Sequence, residues 1–185
     1  MKRSGFTLAE MLVVIGIVVV LGVILMLSAP GEKASVGAVS ATQQIATLLR
    51  EAQSRTFSGD ENGGTTSGFW GVEIVNATNT SPFYTLFFAT STASVASSTV
   101  APVNGNNMLP SLVTFSTSSV PSGGTLYIYY SSGTVPPGQA IGAYAVCVGF
   151  TCPATTTISL SLYEFRSSPP VSTTLIVAPT GAVSF

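Results

Sequence analysis

The chain offers few side chains that could carry out chemistry. It has 185 residues, of which only 7% are charged, and it contains no histidine. Its only lysines are Lys2 and Lys33, both close to the N-terminus. Mechanisms that need a histidine base, a serine–lysine dyad or a phosphate-binding lysine in the rest of the chain are therefore excluded. We predict that the protein is not an enzyme and uses no cofactor or metal.

The few carboxylates leave two alternatives open. Glu73 and Glu164 could in principle supply the acid and base of a glycosidase, but no motif joins them, and we expect two solvated or rim charges on strands. The segment 59–63 places Asp60 and Glu61 in a loop. It lacks the twelve-residue spacing of a calcium loop. A solvated loop is the favoured interpretation, with calcium as the lesser one.

Cys147 and Cys152 are the only cysteines. An even number of cysteines in an exported domain favours a disulfide. Such a bond would close a very short loop and contribute about 2 kcal/mol. Two free buried thiols are the alternative, and a two-cysteine metal site would lack further ligands.

The segment 6–27 is predominantly apolar, and Glu10 is its only charged residue. At about 1.5 Å per helical residue it is about 33 Å long, enough to cross a hydrocarbon layer of about 30 Å. The basic Lys2 and Arg3 precede it, which favours a cytoplasmic N-terminus and an exported remainder. A cleaved secretory signal fits less well, because the apolar segment is too long and Leu27 is too large for a cleavage box.

The N-terminal motif carries a family resemblance. The residues Lys2-Arg3-Ser4-Gly5, followed by Phe6-Thr7-Leu8-Ala9-Glu10-Met11, resemble the class III signal of type IV pilins and pseudopilins. The shared features are a basic leader ending in glycine, an aromatic residue next, and glutamate as the fifth residue of the processed chain. The resemblance implies that prepilin peptidase cleaves between Gly5 and Phe6 and that Phe6 is N-methylated. It also implies that Glu10 acts in subunit assembly.

The remaining pattern predicts an α+β fold, in which a long N-terminal helix packs on an antiparallel β-sheet or β-sandwich domain. A kink is expected at residues 28–31, because proline and glycine interrupt the helix there. Apolar residues then recur at helical spacing from Ala38 to Ala52. The predicted parts are a cleaved leader at 1–5, a transmembrane and assembly helix at 6–29, an amphipathic helix half at 30–58 and an exported β-rich domain at 59–185.

Short apolar runs between Ser, Thr, Gly and Pro predict the strands of that domain. They are 69–75, 83–89, 112–116, 125–131, 141–150, 157–166, 173–177 and 182–185. The segment 89–99 has little apolar bulk and is expected to be an exposed loop. We assign Trp70 to the core, treat Asn76 and Asn79 as turn residues, and expect the tyrosines at 127, 129 and 130 to cover the helix or form cross-strand pairs.

Looser matches place the chain nearest the H-type minor pseudopilins of type II secretion and related minor pilins. They lie at 45–55, 69–74, 84–87 and 175–183. The resemblance implies a structural subunit of a type II secretion pseudopilus or a type IV pilus. It would be anchored once in the inner membrane with its domain exported, and after assembly it would lie in an extracellular or periplasmic fibre.

The implied partners are prepilin peptidase, other pilin or pseudopilin subunits, the inner-membrane assembly platform and, before assembly, membrane lipid. A major type IV pilin, a DNA-uptake minor pilin and a membrane-anchored binding domain are the alternatives. Nucleic acid is not expected as a partner, because Arg166 is the only basic residue beyond residue 55 and phosphate neutralisation needs basic side chains.

Overall fold

The computed structural model of the chain describes residues 7–28, 30–60, 68–95, 105–134, 136, 138–152, 157–164 and 171–185. Two helices come first, α1 at Leu8–Ser28 and α2 at Pro30–Ser58. Ala29, which separates them, lies outside the described residues. The break predicted at 28–31 therefore stays a prediction.

The larger sheet has five strands, in the order β3-β2-β1-β5-β6. The strands are β1 at Phe69–Val75, β2 at Phe83–Ala89, β3 at Asn107–Met108, β5 at Thr125–Ser131 and β6 at Gly142–Val148. All four neighbouring pairs are antiparallel. A short helix, α3 at Thr92–Val95, follows β2.

The smaller sheet has four antiparallel strands, in the order β4-β7-β8-β9. These are β4 at Val113–Phe115, β7 at Ile158–Glu164, β8 at Ser172–Val177 and β9 at Val183–Ser184. Strand β7 alternates as the sequence predicts, with Leu160 and Leu162 buried between polar neighbours. One face of this sheet is thus buried and the other is lined by hydroxyl groups.

The main core lies where α2 packs against both sheets. Helix α2 contributes Ala38, Ala41, Ile45, Ala46, Leu49 and Ala52, all of them inaccessible to solvent. The small residues let the sheets approach the helix closely, as expected for a narrow apolar stripe. Trp70 is also fully buried, so its assignment to the core is confirmed.

A second cluster covers the opposite face of the five-stranded sheet. Tyr127 packs edge-on against Phe87, and Tyr129 packs against Phe69 and Tyr144. The expectation of cross-strand aromatic pairs is confirmed for these two tyrosines. Tyr130 points to the other face and joins the main core.

The α+β class is confirmed, and three details of the prediction are wrong. The exposed loop expected at 89–99 contains α3, whose Val95 is fully buried because it closes the second cluster. Residues 96–99 lie outside the described part. Asn76 is also buried rather than an ordinary turn residue, since its side-chain amide donates to the carbonyl of Val120 at 2.7 Å. The short strand β3 was not predicted, because two residues carry no periodicity.

Candidate functional site

Helix α1 is exposed on every side. From Leu8 to Leu25 none of its residues is buried by the rest of the chain. The helix has no polar face, because Glu10 is its only charged residue. Gly16 and Gly22 are the two positions that carry no side chain. A helix that is apolar all round is stable only when apolar surroundings cover it, as in a membrane or in the interior of an assembly. By length and composition α1 could cross a membrane once.

Thr7 and Glu10 form a capping box at the start of α1. The amide and the hydroxyl of Thr7 both donate to Oε2 of Glu10, at 3.0 and 3.1 Å. In return the amide of Glu10 donates to the Thr7 hydroxyl at 3.3 Å. These bonds satisfy backbone donors that the first helical turn leaves without partners. Glu10 therefore already has a role within its own helix.

Gly5 and Phe6, the residues of the expected cleavage and methylation site, lie outside the described residues. The first described residue is Thr7. Only Phe6 lies between Gly5 and Thr7 in the sequence. The predicted new N-terminus at Phe6 would thus immediately precede the capping box.

The C-terminal half of α2 is fastened to the domain by Arg55. Its guanidinium lies 4.5 Å from the centroid of the Trp70 ring and pairs with Glu51 at 2.7 Å and Asp60 at 3.4 Å. The indole N–H of Trp70 donates to the backbone carbonyl of Asp60 at 2.8 Å. The cation–π contact and the two ion pairs all stabilise the same position of the Arg55 side chain. This cluster fixes the end of α2 on the five-stranded sheet.

The same cluster bears on the calcium alternative for residues 59–63. The carboxylate of Asp60 is occupied by the Arg55 cation, which would have to leave before Asp60 could ligate a metal. Residues 61–63 lie outside the described part. Among the described residues there is no group of three acidic, cysteine or histidine side chains that could hold a metal ion.

Glu73 and Glu164 are not brought together. Glu73 lies in β1 of the larger sheet and accepts a hydrogen bond from the hydroxyl of Tyr127 at 3.0 Å. Glu164 ends β7 of the smaller sheet. Burial raises the pKa of Glu73, and the bond from Tyr127 offsets part of that rise. Burial and the nearby Glu73 carboxylate raise the pKa of Tyr127.

Glu164 corrects the expectation of a rim charge. It is only 3% exposed, because it occupies an inward position of β7, in line with Leu160 and Leu162. The period of two instead places Glu164 on the apolar side.

Cys147 and Cys152 form a disulfide, with their Cα atoms 5.4 Å apart. It links the end of β6 to the loop that follows. Gly149 adopts a positive φ of 86° within that loop, a conformation that glycine permits without steric cost. The bond is a local link at one edge of the larger sheet.

Comparison of the chain with known protein families, with characterised proteins and with solved structures gives no significant match. The candidate site therefore rests on the chain's own residues. The described features that bear on it are an uncovered apolar helix, a single carboxylate in its first turn, and a second helix fixed firmly to a β-rich domain.

Sequence reasoning missed the role of Thr7. The pattern of a threonine followed three residues later by a glutamate, just before an apolar run, is the sequence signature of a capping box. The family resemblance implies only the assembly role of Glu10. The signal was present in Thr7-Leu8-Ala9-Glu10.

Proposed function

We propose that the protein is a structural subunit of a type IV pilus or of a type II secretion pseudopilus, nearest the minor pseudopilins. In this proposal prepilin peptidase removes residues 1–5, and Phe6 becomes an N-methylated N-terminus. Before assembly the chain is anchored in the inner membrane with its domain exported. The assembly platform then moves it into a helical fibre. The protein performs no catalysis of its own.

The observation that carries this proposal is the complete exposure of α1. The domain folds around α2, and the described part of the chain buries none of the residues from Leu8 to Leu25. Lipid can cover such a helix before assembly, and the equivalent helices of other subunits can cover it afterwards. An uncovered apolar helix followed by a folded domain is the form that a stacking subunit requires.

Glu10 is the residue that we propose sets the register between subunits. A carboxylate inside a bundle of apolar helices must be paired, since an isolated buried charge is costly. Cleavage before Phe6 would create an amine that can serve as its partner on the neighbouring subunit. Removing one member of a buried charge pair costs about 3 to 5 kcal/mol, so a wrong register would be strongly disfavoured.

The capping box adds a step to that hypothesis. In the single chain Thr7 already supplies two hydrogen bonds to Oε2 of Glu10. An incoming amine adds opposite charge and so strengthens the pairing beyond what neutral donors provide. Thr7 would keep the carboxylate oriented at the helix start until the neighbour arrives.

Mass spectrometry of the mature N-terminus tests the proposal. The full chain is expressed in cells with active prepilin peptidase and in cells that lack it. We expect a chain beginning at methylated Phe6 in the first cells and an intact leader in the second. An intact leader in both, or cleavage after Ala29, would contradict the proposal, because the second result would mark an ordinary secretory signal.

A further inference from the structure

A cavity of about 770 Å³ lies at the edge of the smaller sheet, between strand β4 and the turn that follows β1. Its volume falls within the range of about 300 to 1,000 Å³ that is typical of small-molecule sites. The described residues that line it come from β4, from β7 and from the turns at 76–82 and 116–122, and none belongs to α1. The cavity is thus separate from the assembly helix.

Asn76 ties the two walls of the cavity together. Its side-chain amide donates to the carbonyl of Val120 at 2.7 Å, and its backbone N–H donates to the carbonyl of Gly124 at 3.0 Å. In return the N–H of Gly123 donates to the Asn76 carbonyl at 2.6 Å. These three bonds join the end of β1 to the turn that begins after β4. The cavity is therefore formed before any ligand arrives, as most small-molecule sites are.

Hydroxyl groups make up the accessible polar surface of the cavity. Thr117, Ser118 and Ser122 are exposed there, and Thr114 is half-buried. The hydroxyl of Ser118 lies 2.7 Å from that of Ser116. Within the described part of the chain, the hydroxyls of Thr114, Thr117 and Ser122 make no hydrogen bond. Each hydroxyl can both donate and accept, so these three groups can bond to a ligand that carries hydroxyls of its own.

The accessible wall of the cavity carries almost no charge. Glu164 is the only charged residue among those described in the wall, and it is only 3% exposed. No lysine or arginine is among the described lining residues. A charged ligand would lose its hydration here without gaining an accessible counter-ion, which is costly. The cavity therefore favours a neutral ligand.

Tyr163 gives the cavity an aromatic surface. It lies on the outer face of β7 and is 39% exposed. Its cross-strand neighbours are Thr114 on β4 and Ser172 on β8, with Cβ atoms about 5 Å away in such pairs. Both neighbours are too small to cover the ring, and no other aromatic ring in the described part of the chain packs on it. An uncovered ring thus lies directly beside a hydroxyl of the cavity.

A sugar ring matches this combination of groups. One face of a sugar ring presents C–H groups, which can pack on an aromatic side chain, and its rim presents hydroxyls, which can bond to serine and threonine. An apolar ligand would instead cover the cavity's hydroxyls without supplying partners for them, which costs free energy.

We propose that this cavity binds a neutral oligosaccharide. One sugar ring packs on Tyr163, and its hydroxyls bond to Thr114, Thr117 and Ser122. The proposal does not depend on the filament hypothesis, since it concerns a site on the domain and needs no second subunit.

The test is isothermal titration of the full-length protein in a polyoxyethylene ether detergent, whose head group contains no sugar. The neutral probes are maltotriose, cellotriose and N-acetylated chitotriose. Deacetylated chitotriose is the cationic contrast, and trigalacturonic acid is the anionic one. We expect at least one neutral trisaccharide to bind, and we expect both charged trisaccharides to bind at least tenfold more weakly.

The source of the sugar is distinguished by offering the bound trisaccharide in a second form, linked through its reducing end to a carrier protein. Binding of both forms would assign the site to glycans attached to a surface. Binding of the free form alone would assign it to soluble oligosaccharides. Either result supports the proposal.

Tyr163 is tested by two substitutions. Tyr163→Ala removes the ring and should weaken binding at least tenfold, whereas Tyr163→Phe keeps the ring and should bind nearly as tightly as the wild type. Ile176→Ala is the matched control. Ile176 is also 39% exposed on the outer face of the smaller sheet but does not line the cavity, so its loss should leave binding unchanged.

Thr117→Trp tests the cavity by a separate route. Thr117 is exposed in the turn after β4, so a large side chain there should fill the cavity without disturbing the core and should abolish binding. This variant also replaces Tyr163→Ala if that one fails to fold. The proposal is overturned if no neutral trisaccharide binds, or if a charged one binds in its place. It is also overturned if Tyr163→Ala and Thr117→Trp both bind as tightly as the wild type.

Discussion

Thr7 donates two hydrogen bonds to one carboxylate oxygen of Glu10, at 3.0 and 3.1 Å, before any partner is present. The acid therefore has two separable roles, as a cap within its own helix and as the proposed charge partner of a neighbour. A glutamine can take the first role, because it also completes a capping box. Only a carboxylate can take the second.

Substitution of Glu10 separates these roles. We expect Glu10→Gln and Glu10→Ala to be excluded from fibres to a similar degree, because both lose the charge. The measurement is the fraction of each variant in purified fibres relative to its level in the membrane. Thr7→Val is the control for capping, and it should cause a smaller loss. If both Glu10 variants were incorporated normally, the register hypothesis would have no basis.

Arg55 should stabilise the domain more than Arg50 does. Arg55 lies on Trp70 and pairs with two carboxylates, whereas the described contact of Arg50 is one bond of 3.4 Å to the carbonyl of Val183. We expect Arg55→Lys to lower the free energy of unfolding by about 1 kcal/mol, and Arg50→Lys to change it little. Trp70 is the only tryptophan, so its fluorescence reports unfolding. Equal effects would mean that the cluster contributes nothing specific.

The stability of the domain should depend on pH through Glu73. Burial raises its pKa in the folded state above the ordinary value of 4.5. Folding therefore favours the protonated form of Glu73. The contribution of this form to the free energy of unfolding is lost as the pH rises from about 4.5 through the pKa of the folded state. Glu73→Gln should remove this loss. Its unfolding free energy relative to the wild type should thus increase between pH 4 and pH 7, and a constant difference would contradict the assignment.

Tyr127 should moderate that effect. Its hydroxyl donates to Glu73 and so lowers a pKa that burial raises. We expect Tyr127→Phe to raise the pKa of Glu73 further, as measured by NMR titration of the carboxyl carbon. Tyr144→Phe is the control, because the Tyr144 hydroxyl donates to the carbonyl of Ala140. An unchanged titration in Tyr127→Phe would show that the bond is not formed in solution.

Gly71 should tolerate no larger residue. A Cβ at this position would lie 2.5 Å from the carbonyl oxygen of Ile128 and 2.6 Å from the ring of Phe87. Strands β1 and β5 would have to separate, so we expect Gly71→Ala to cost about 1 to 3 kcal/mol. Gly22→Ala is the control, since nothing lies within 4 Å of its Cβ position. Thermal unfolding of the two variants distinguishes a local clash from a general effect of alanine.

Apolar runs between turn residues predict most of the strands. The predicted bounds of β1, β2 and β5 match the structure to the residue, and α2 ends at Ser58 as expected. These three strands are buried on both faces, so the length of the apolar run and not an alternation predicts them. The predicted strands β4 and β6 are too long by one or two residues at their ends. These ends fall at turns, where apolar residues continue beyond the hydrogen-bonded ladder.

The sequence could not predict which charges end up buried together or apart. Glu73 and Glu164 look alike as glutamates at strand positions. Glu73 accepts a hydrogen bond from a tyrosine hydroxyl, whereas Oε2 of Glu164 is buried without a hydrogen bond. That difference depends on the pairing of the two sheets with α2, which a single sequence does not specify.

The central claim is that α1 is buried by copies of itself. Val14 lies in the exposed middle of α1, and both native cysteines are paired with each other, so Val14→Cys introduces a single free thiol. Oxidative cross-linking of this variant should give covalent dimers in cells with a complete assembly platform and few in cells without it. Equal cross-linking in both, or none in either, would contradict the account.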